Sequence, residues 1–330
     1  MLKAIPTLLV ACLCAAPAFA EPIVGVQIAA AHDDDNLRNL SLSVWYPAQE
    51  GGSPEDVGGN AVFIGQPAYR DAVMAPGPYP LVLLSHGGLR SAPDSGAWLS
   101  GRLAEKGFIV VEVNGPRPNS AKAAVNEIWQ RPLDVSRALD WLLRDPSWSS
   151  AIDQSRIATV GYALGGTAAL SLAGGMFDAD AFAMACAADA DGPDCAWYAA
   201  QGVSLATIDQ ERLEQPYRDP RIGTAIAINP EYADVFFAPS LKAQGSQPRV
   251  IWLGARDHGQ ADTIGLPHTM VEIATGYDAF PLCTPKGRFI LAEDGGDAAL
   301  CDSDPTARAH IHDEIAERLV AAFDPNSVSD

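Results

Sequence analysis

The sequence is poor in positive charge. Its 330 residues include 22 lysines and arginines against 41 aspartates and glutamates, which gives a net charge of −19 at pH 7. A surface this acidic repels polyphosphate backbones and anionic lipid headgroups, so nucleic acid and the membrane surface are disfavoured as partners. The acidic residues are spread along the chain, and the short run Asp33–Asp35 is predicted to be a solvated loop.

Long apolar runs are missing beyond the first twenty residues. No later segment approaches the roughly 20 apolar residues that a transmembrane helix needs, so no membrane span is predicted. The N-terminus has the form of a secretion signal, in which Lys3 precedes a largely apolar segment that ends at the small-x-small site Ala18–Ala20. We predict cleavage after Ala20 and a periplasmic or secreted location. The alternative is a lipoprotein signal that ends at Cys12.

Several motifs that carry known chemistry are also absent. The chain has no phosphate-binding glycine loop, no dinucleotide fingerprint and no His-Glu-x-x-His zinc motif. It has no Cys-x-x-Cys pair either, which disfavours a zinc site. We therefore expect neither a cofactor nor a metal. With 48% hydrophobic residues the chain can form one sizeable core, and residues 21–330 are predicted to be a single domain.

Cysteine is scarce, and cleavage of the signal would reduce six residues to four. An even number in an exported chain indicates two disulfides, for which three pairings exist. We expect the two local pairs, because each of them brackets a loop rich in glycine and aspartate; they are Cys186–Cys195 and Cys283–Cys301.

Apolar runs alternate with amphipathic segments along the rest of the chain. This order predicts an α/β fold, a mostly parallel doubly wound sheet flanked by helices. Residues 50–60 are predicted to be a loop, and about 174–221 an insertion over the carboxyl edge of the sheet. The predicted strands are Ile23–Ala31, Leu40–Tyr46, Leu81–Ser85, Phe108–Val113, Ile157–Val160, Ile222–Ile228, Val250–Leu253 and Met270–Ile273, and the helices Trp98–Lys106, Asp134–Leu143, Leu164–Leu172 and Ala307–Phe323.

One turn in this pattern matches a catalytic motif but lacks the nucleophilic residue of that motif. Residues Gly161–Gly165 follow a buried strand and begin a helix, as in the Gly-x-Ser-x-Gly nucleophile elbow of α/β-hydrolases. Gly161 and Gly165 are expected to relieve crowding in the sharp turn. The position of the nucleophilic serine holds Ala163, whose methyl group cannot attack a carbonyl.

The elbow belongs to a longer resemblance. From about Leu42 to Phe323 the chain resembles exported bacterial α/β-hydrolases of the dienelactone-hydrolase and platelet-activating-factor-acetylhydrolase-like type. The order and spacing of six segments carry it: Val44–Ala48, Pro80–Gly87, Arg131–Leu139, Arg156–Gly166, Leu253–Asp257 and Phe280–Cys283. The resemblance implies the α/β-hydrolase fold and an ancestry among carboxylic ester hydrolases.

The resemblance also implies the positions of a catalytic triad. Ala163 occupies the nucleophile position, Asp257 the acid position and Tyr277 the histidine position. Tyrosine, with a pKa near 10, is a poor general base at neutral pH. His258 or His268 is an alternative source of the imidazole. Because two members of one triad are replaced, inherited loss of catalysis explains the sequence better than a single introduced substitution.

The resemblance places the oxyanion hole beside the elbow. Gly88 or Leu89 would supply one backbone N–H and Leu164 the other, and His86 is expected to order the loop through hydrogen bonds.

The leading hypothesis is an exported protein without serine-esterase activity that binds a small apolar acid or ester. One alternative is an active dienelactone-hydrolase-like serine esterase with an altered or displaced nucleophile. Another is a periplasmic interaction scaffold whose segment 174–221 contacts a partner.

Overall fold

The molecule is built around one mixed β-sheet of eleven strands. The computed structural model describes residues 23–32, 38–242, 247–254 and 265–323. The strands are β1 (Ile23–Ala31), β2 (Leu40–Glu50), β3 (Ser53–Val57), β4 (Gln66–Arg70), β5 (Val73–Met74), β6 (Tyr79–Ser85), β7 (Ile109–Asn114), β8 (Ile152–Tyr162), β9 (Thr224–Ile228), β10 (Gln247–Leu253) and β11 (His268–Val271). They lie in the order β11-β10-β9-β8-β6-β7-β2-β1-β4-β3, and β5 pairs with β2.

The sheet has a parallel part and a largely antiparallel part. The six strands from β11 to β7 are all parallel to one another. β2 then pairs antiparallel with both β7 and β1, and β3 pairs antiparallel with β4. The predicted mostly parallel sheet is therefore confirmed. Its carboxyl edge, where the parallel strands end side by side, is where folds of this kind hold their ligands.

Helices cover both faces of the parallel strands. They are α1 (Ala97–Glu105), α2 (Ala121–Ala124), α3 (Glu127–Arg144), α4 (Pro146–Ala151), α5 (Leu164–Leu172), α6 (Ala179–Ala188), α7 (Cys195–Ala200), α8 (Gln210–Leu213), α9 (Ala238–Lys242), α10 (Gly287–Glu293) and α11 (Pro305–Phe323). Within β6, Val82 and Leu84 pack in the cluster that contains α1 and α11, whereas Leu81 and Leu83 pack in the cluster that contains α3. This burial on both faces explains why the strand is continuously apolar.

Two local predictions were wrong. The stretch 50–60, predicted as a loop from its glycine, proline and aspartate, contains strand β3, which pairs with β4 from Ser53 to Val57. Proline is tolerated in such a strand because β3 lies at the sheet edge. Helix α3 begins at Glu127, seven residues before the predicted start at Asp134, and contains Pro132. Proline is disfavoured inside a helix because it lacks a backbone N–H. The sequence therefore predicted the helix only from the apolar spacing that follows Pro132.

The segment between α5 and β9 is held by one of two disulfides. Residues 174–221 contain the helices α6, α7 and α8, and the Cys186–Cys195 disulfide joins α6 to the first residue of α7. The second disulfide joins Cys283 to Cys301. Both are the local pairs expected from the sequence, and they fit a protein that folds in an oxidising compartment. None of the helices in the described ranges is both long and apolar enough to cross a membrane.

Candidate functional site

The strand–helix turn at Ala163 has the strained geometry of a nucleophile elbow. Ala163 connects β8 to α5 with φ 55° and ψ −124°. A residue with a Cβ costs about 1–3 kcal/mol in such a conformation. Neighbouring backbone holds it there: Ala163 N–H donates to Ile228 O at 3.0 Å, and Ala163 O accepts from Glu231 N–H at 3.2 Å. The sheet and the chain after β9 therefore impose this conformation, although its methyl side chain performs no chemistry.

Both elbow glycines are required by close approach of the backbone. A Cβ on Gly161 would lie 1.9 Å from Gly165 O, and a Cβ on Gly165 would lie 1.8 Å from Ser85 O. Neither contact is compatible with a side chain. The crowding expected from the sequence is therefore present, and it arises because α5 starts directly against β6.

The loop after β6 lies beside the elbow. Ser85 of β6 is in register with Gly161 of β8, and Gly87 N–H donates to Tyr162 O at 3.1 Å. Arg131 of α3 donates from Nη1 to Gly87 O at 2.6 Å and from Nη2 to Gly88 O at 2.8 Å. These bonds fix the loop that would carry the first oxyanion donor. The second donor position, Leu164, begins α5 and is buried.

His86 links this loop to the turn that follows β11. Its Nε2–H donates to Ala279 O at 2.8 Å, and the same carbonyl accepts from Trp98 Nε1–H at 2.8 Å. Nδ1 is buried and has no hydrogen-bond partner among the described residues. Burial, reinforced by the positive charge of Arg131, lowers the pKa of His86 to about 4. The ring is therefore neutral at physiological pH and presents a free acceptor.

Tyr277 lies on a turn next to the elbow but uses its hydroxyl elsewhere. The turn Gly276–Ala279 is bound to the elbow because Tyr162 Oη–H donates to Gly276 O. The Tyr277 side chain is half-exposed and its hydroxyl donates to the Asp297 carboxylate, which raises the pKa of the phenol. The predicted histidine position thus belongs to a segment that is bound to the elbow, while the Tyr277 side chain bonds to another loop.

Of the two alternative histidines, the structure describes only His268. His268 is the first residue of β11 and pairs with Val250, whereas the carboxyl edge lies beyond Leu253 and Val271. Three residues of strand separate His268 from that edge by about 10 Å, so it cannot supply the imidazole. The predicted acid Asp257 and the neighbouring His258 lie outside the described residues.

Glu231 is a member of the site that the sequence analysis did not identify. It follows β9 at the same edge, and its backbone is bound to the elbow on both sides, since Thr167 Oγ1–H donates to Glu231 O. Its Oε1 lies 3.0 Å from the position of a Cβ built on Gly88. Its Oε2 is buried without a partner among the described residues. The available signal was an acidic residue three positions beyond the predicted strand Ile222–Ile228.

The electrostatics around Glu231 disfavour its charged form. Burial, and then the negative charge of Asp194, raise the pKa of Glu231 to about 7, although Arg131 acts in the opposite direction. At neutral pH the carboxyl is therefore divided between its neutral and ionised forms. It is a hydrogen-bond donor in the first form and an acceptor in the second.

The disulfide-linked segment contacts the two loops of the site. Asp194, which precedes α7, pairs with Arg90 at 3.3 Å. Tyr232, next to Glu231, donates its hydroxyl to Pro193 O. These contacts join residues 174–221 to both loops of the site. Within the described ranges, no group of three histidine, cysteine or acidic side chains is arranged to hold a metal ion.

No protein-family model matches the chain. Among curated proteins it is similar to Cutinase est1 of Thermobifida alba, 33% identical over 88 residues, which cover 26% of this chain and 28% of the cutinase. It is also similar to Cutinase cut1 of Thermobifida fusca, 33% identical over 79 residues, which cover 23% of each protein. The chain thus spans about a quarter of the length of the curated relatives that it matches.

A solved structure is similar over nearly the whole chain. The ferulic acid esterase from Streptomyces cinnamoneus superposes with a TM-score of 0.59 at 17% identity, covering 94% of this chain and 91% of the esterase. At that identity the likeness shows the fold alone. The narrower resemblance to the dienelactone-hydrolase and platelet-activating-factor-acetylhydrolase-like type stays a prediction. The chain has the α/β-hydrolase fold, and the cutinases among its curated relatives support an ester-hydrolase ancestry.

Proposed function

We propose that this chain is an exported α/β-hydrolase-fold protein that lacks serine-esterase activity and binds a small apolar acid or ester. The observation that carries the proposal is Ala163, which holds the elbow conformation and bears only a methyl group. Export would follow cleavage after Ala20. The dienelactone-hydrolase-like ancestry, with Asp257 and Tyr277 in the other two triad positions, forms part of the same proposal.

An acyl-enzyme mechanism needs an oxygen or sulfur nucleophile at the elbow and a base to activate it. Ala163 supplies no nucleophile. The neutral ring of His86 could accept a proton, but its low pKa makes it a weak base. Serine proteases stripped of their triad retain roughly 10³–10⁴-fold acceleration over water. Residual catalysis of that size would fall far below that of a working esterase.

The parts that bind a carbonyl oxygen are better preserved than the parts that attack a carbonyl carbon. Arg131 fixes the carbonyls of Gly87 and Gly88 and so orients the peptide units of this loop. Leu164 begins a nine-residue helix, whose N-terminus directs N–H groups and partial positive charge toward the edge. This supports retention of a binding site after loss of the reaction.

The first test is an esterase assay on the purified protein with p-nitrophenyl acetate and butyrate. We expect no turnover above background and no labelling by a fluorophosphonate probe. Turnover that the probe abolishes, together with covalent labelling of a residue in the cleft, would refute the loss of serine chemistry.

A second test restores the proposed triad. Ala163→Ser combined with Tyr277→His is expected to raise esterase activity by roughly 10²-fold or more, because a positioned general base contributes about that factor. Either substitution alone is expected to leave the background unchanged. The matched control combines Ala163→Ser with Tyr69→His, a half-exposed tyrosine on β4. A folded double variant that stays inactive would show that the Tyr277 assignment is wrong.

A further inference from the structure

The carboxyl group of Glu231 lies against the loop that would bind the ligand's oxygen. Its Oε1, Oε2 and Cδ lie 3.0, 3.7 and 3.8 Å from the position of a Cβ on Gly88, so the carboxyl covers the side-chain face of that residue. A ligand oxygen that accepts a hydrogen bond from Gly88 N–H would lie about 2.9 Å from that nitrogen. A ligand oxygen bound at Gly88 N–H would therefore lie next to the Glu231 carboxyl.

The nearest cation does not neutralise Glu231 by direct pairing. Arg131 donates its two terminal nitrogens to Gly87 O and Gly88 O, and its Nε lies 4.0 Å from a Glu127 oxygen. From the disulfide-linked segment, Asp194 adds a further negative charge, and its own partner is Arg90. Among the described residues, Glu231 also interacts with two tyrosines whose pKa values are raised chiefly by burial, Tyr198 and Tyr232.

An oxyanion hole presents only hydrogen-bond donors to the ligand, whereas Glu231 places a titratable carboxyl beside the Gly88 N–H. An ionised Glu231 repels a second carboxylate, whereas a neutral Glu231 does not. An ester carbonyl carries no charge and is repelled by neither form. A site that contains this carboxyl would therefore distinguish two ligands that differ only in whether the acid is esterified.

We propose that Glu231 is a specificity-determining residue that makes the site select a neutral ester and exclude the corresponding carboxylate. The inference rests on the proposed binding function and assigns it a ligand class. For a carboxylate bound within about 5 Å of an ionised Glu231, at an effective dielectric constant of about 20, the repulsion is strong enough to weaken binding by more than a hundredfold. Arg131 offsets part of this, and we expect a preference of at least roughly tenfold.

The test compares methyl benzoate with benzoate, which share a ring and differ in charge. Dissociation constants are measured by saturation-transfer NMR titration of the intact protein at about pH 8 and about pH 5.5, on either side of the Glu231 titration. At the higher pH the ester is expected to bind at least roughly tenfold more tightly than benzoate. At the lower pH, where benzoate is still ionised and Glu231 is protonated, the preference is expected to shrink.

Variants separate the charge of Glu231 from the net charge of the protein. Glu231→Gln keeps the shape of the side chain and is expected to raise benzoate affinity at least roughly tenfold at about pH 8. Glu317→Gln, on an exposed position of α11, makes the same charge change and is expected to leave both affinities unchanged.

The results of these titrations distinguish a failure of the role of Glu231 from a failure of the proposed binding function. Equal affinity of the unsubstituted protein for the two ligands at about pH 8 would overturn the role of Glu231, as would an unchanged preference in a folded Glu231→Gln variant. The comparison of the two ligands needs no variant, so it stands even where Glu231→Gln fails to fold. Binding of neither ligand at either pH would instead overturn the proposed function, and the inference with it.

Discussion

Replacing Arg131 by methionine is expected to destabilise the protein by about 3–5 kcal/mol, because the guanidinium is the buried support of the loop after β6. Its side chain is only 16% exposed, and it donates to Gly87 O at 2.6 Å and to Gly88 O at 2.8 Å. Each hydrogen bond from a charged donor contributes about 1.5–3 kcal/mol. Methionine fills a similar volume but leaves both carbonyls without these donors and removes the positive charge that acts on Glu231.

The free energy of unfolding is measured by urea denaturation followed by circular dichroism. Arg144→Met is the control, since Arg144 lies on the same helix α3, is 81% exposed and approaches Asp140 only to 4.0 Å. Exposed pairs of this kind contribute about 0–1 kcal/mol. If the two variants lose the same free energy, or if Arg131→Met loses less than about 1 kcal/mol, the loop does not depend on Arg131 as argued.

Two further predictions concern the elbow and its acidic neighbour. Gly165→Ala is expected to lower the free energy of unfolding by at least about 3 kcal/mol or to prevent folding, because its Cβ would lie 1.8 Å from Ser85 O. The control is Gly223→Ala, whose Cβ would have its nearest contact at 3.8 Å. In the same urea assay it should lower the free energy of unfolding by less than about 1 kcal/mol. The raised pKa of Glu231 means that the folded state binds the proton more tightly than the unfolded state, so stability falls as pH rises from about 4.5 to about 7. Glu231→Gln removes this titration and is expected to be more stable than the unsubstituted protein above about pH 7 by about 1–3 kcal/mol; an unaltered pH profile would refute the assignment.

The sequence predicted the elements whose causes are local. The run Leu81–Leu84 is apolar at every position because both faces of β6 are covered, and that pattern is visible without a partner strand. The glycines at Gly161 and Gly165 marked the elbow because no other residue tolerates the approach of Ser85 O and Gly165 O. Here the local sequence and the tertiary contacts require the same residues.

Features set by distant contacts were missed. Strand β3 forms from a polar, proline-containing stretch because β4 offers it a partner, which no local preference indicates. Glu231 becomes part of the site because Gly88, Arg131 and Asp194 come from three other segments. The alternative at His268 failed because the register of β11 against β10, and not its nearness to Asp257 in sequence, decides which end of the strand it occupies.

The backbone at Ala163 has an evolutionary consequence. Its unfavourable φ and ψ are maintained by Ile228 O and Glu231 N–H, which belong to the sheet and the chain after it and not to any reacting group. Selection for catalysis is therefore unnecessary to preserve the turn, and relaxed selection on the side chain does not erode it. Under the proposed loss of catalysis, the chain keeps the costly part of the architecture, so restoring esterase activity would require changes of side chains and no rebuilding of the main chain.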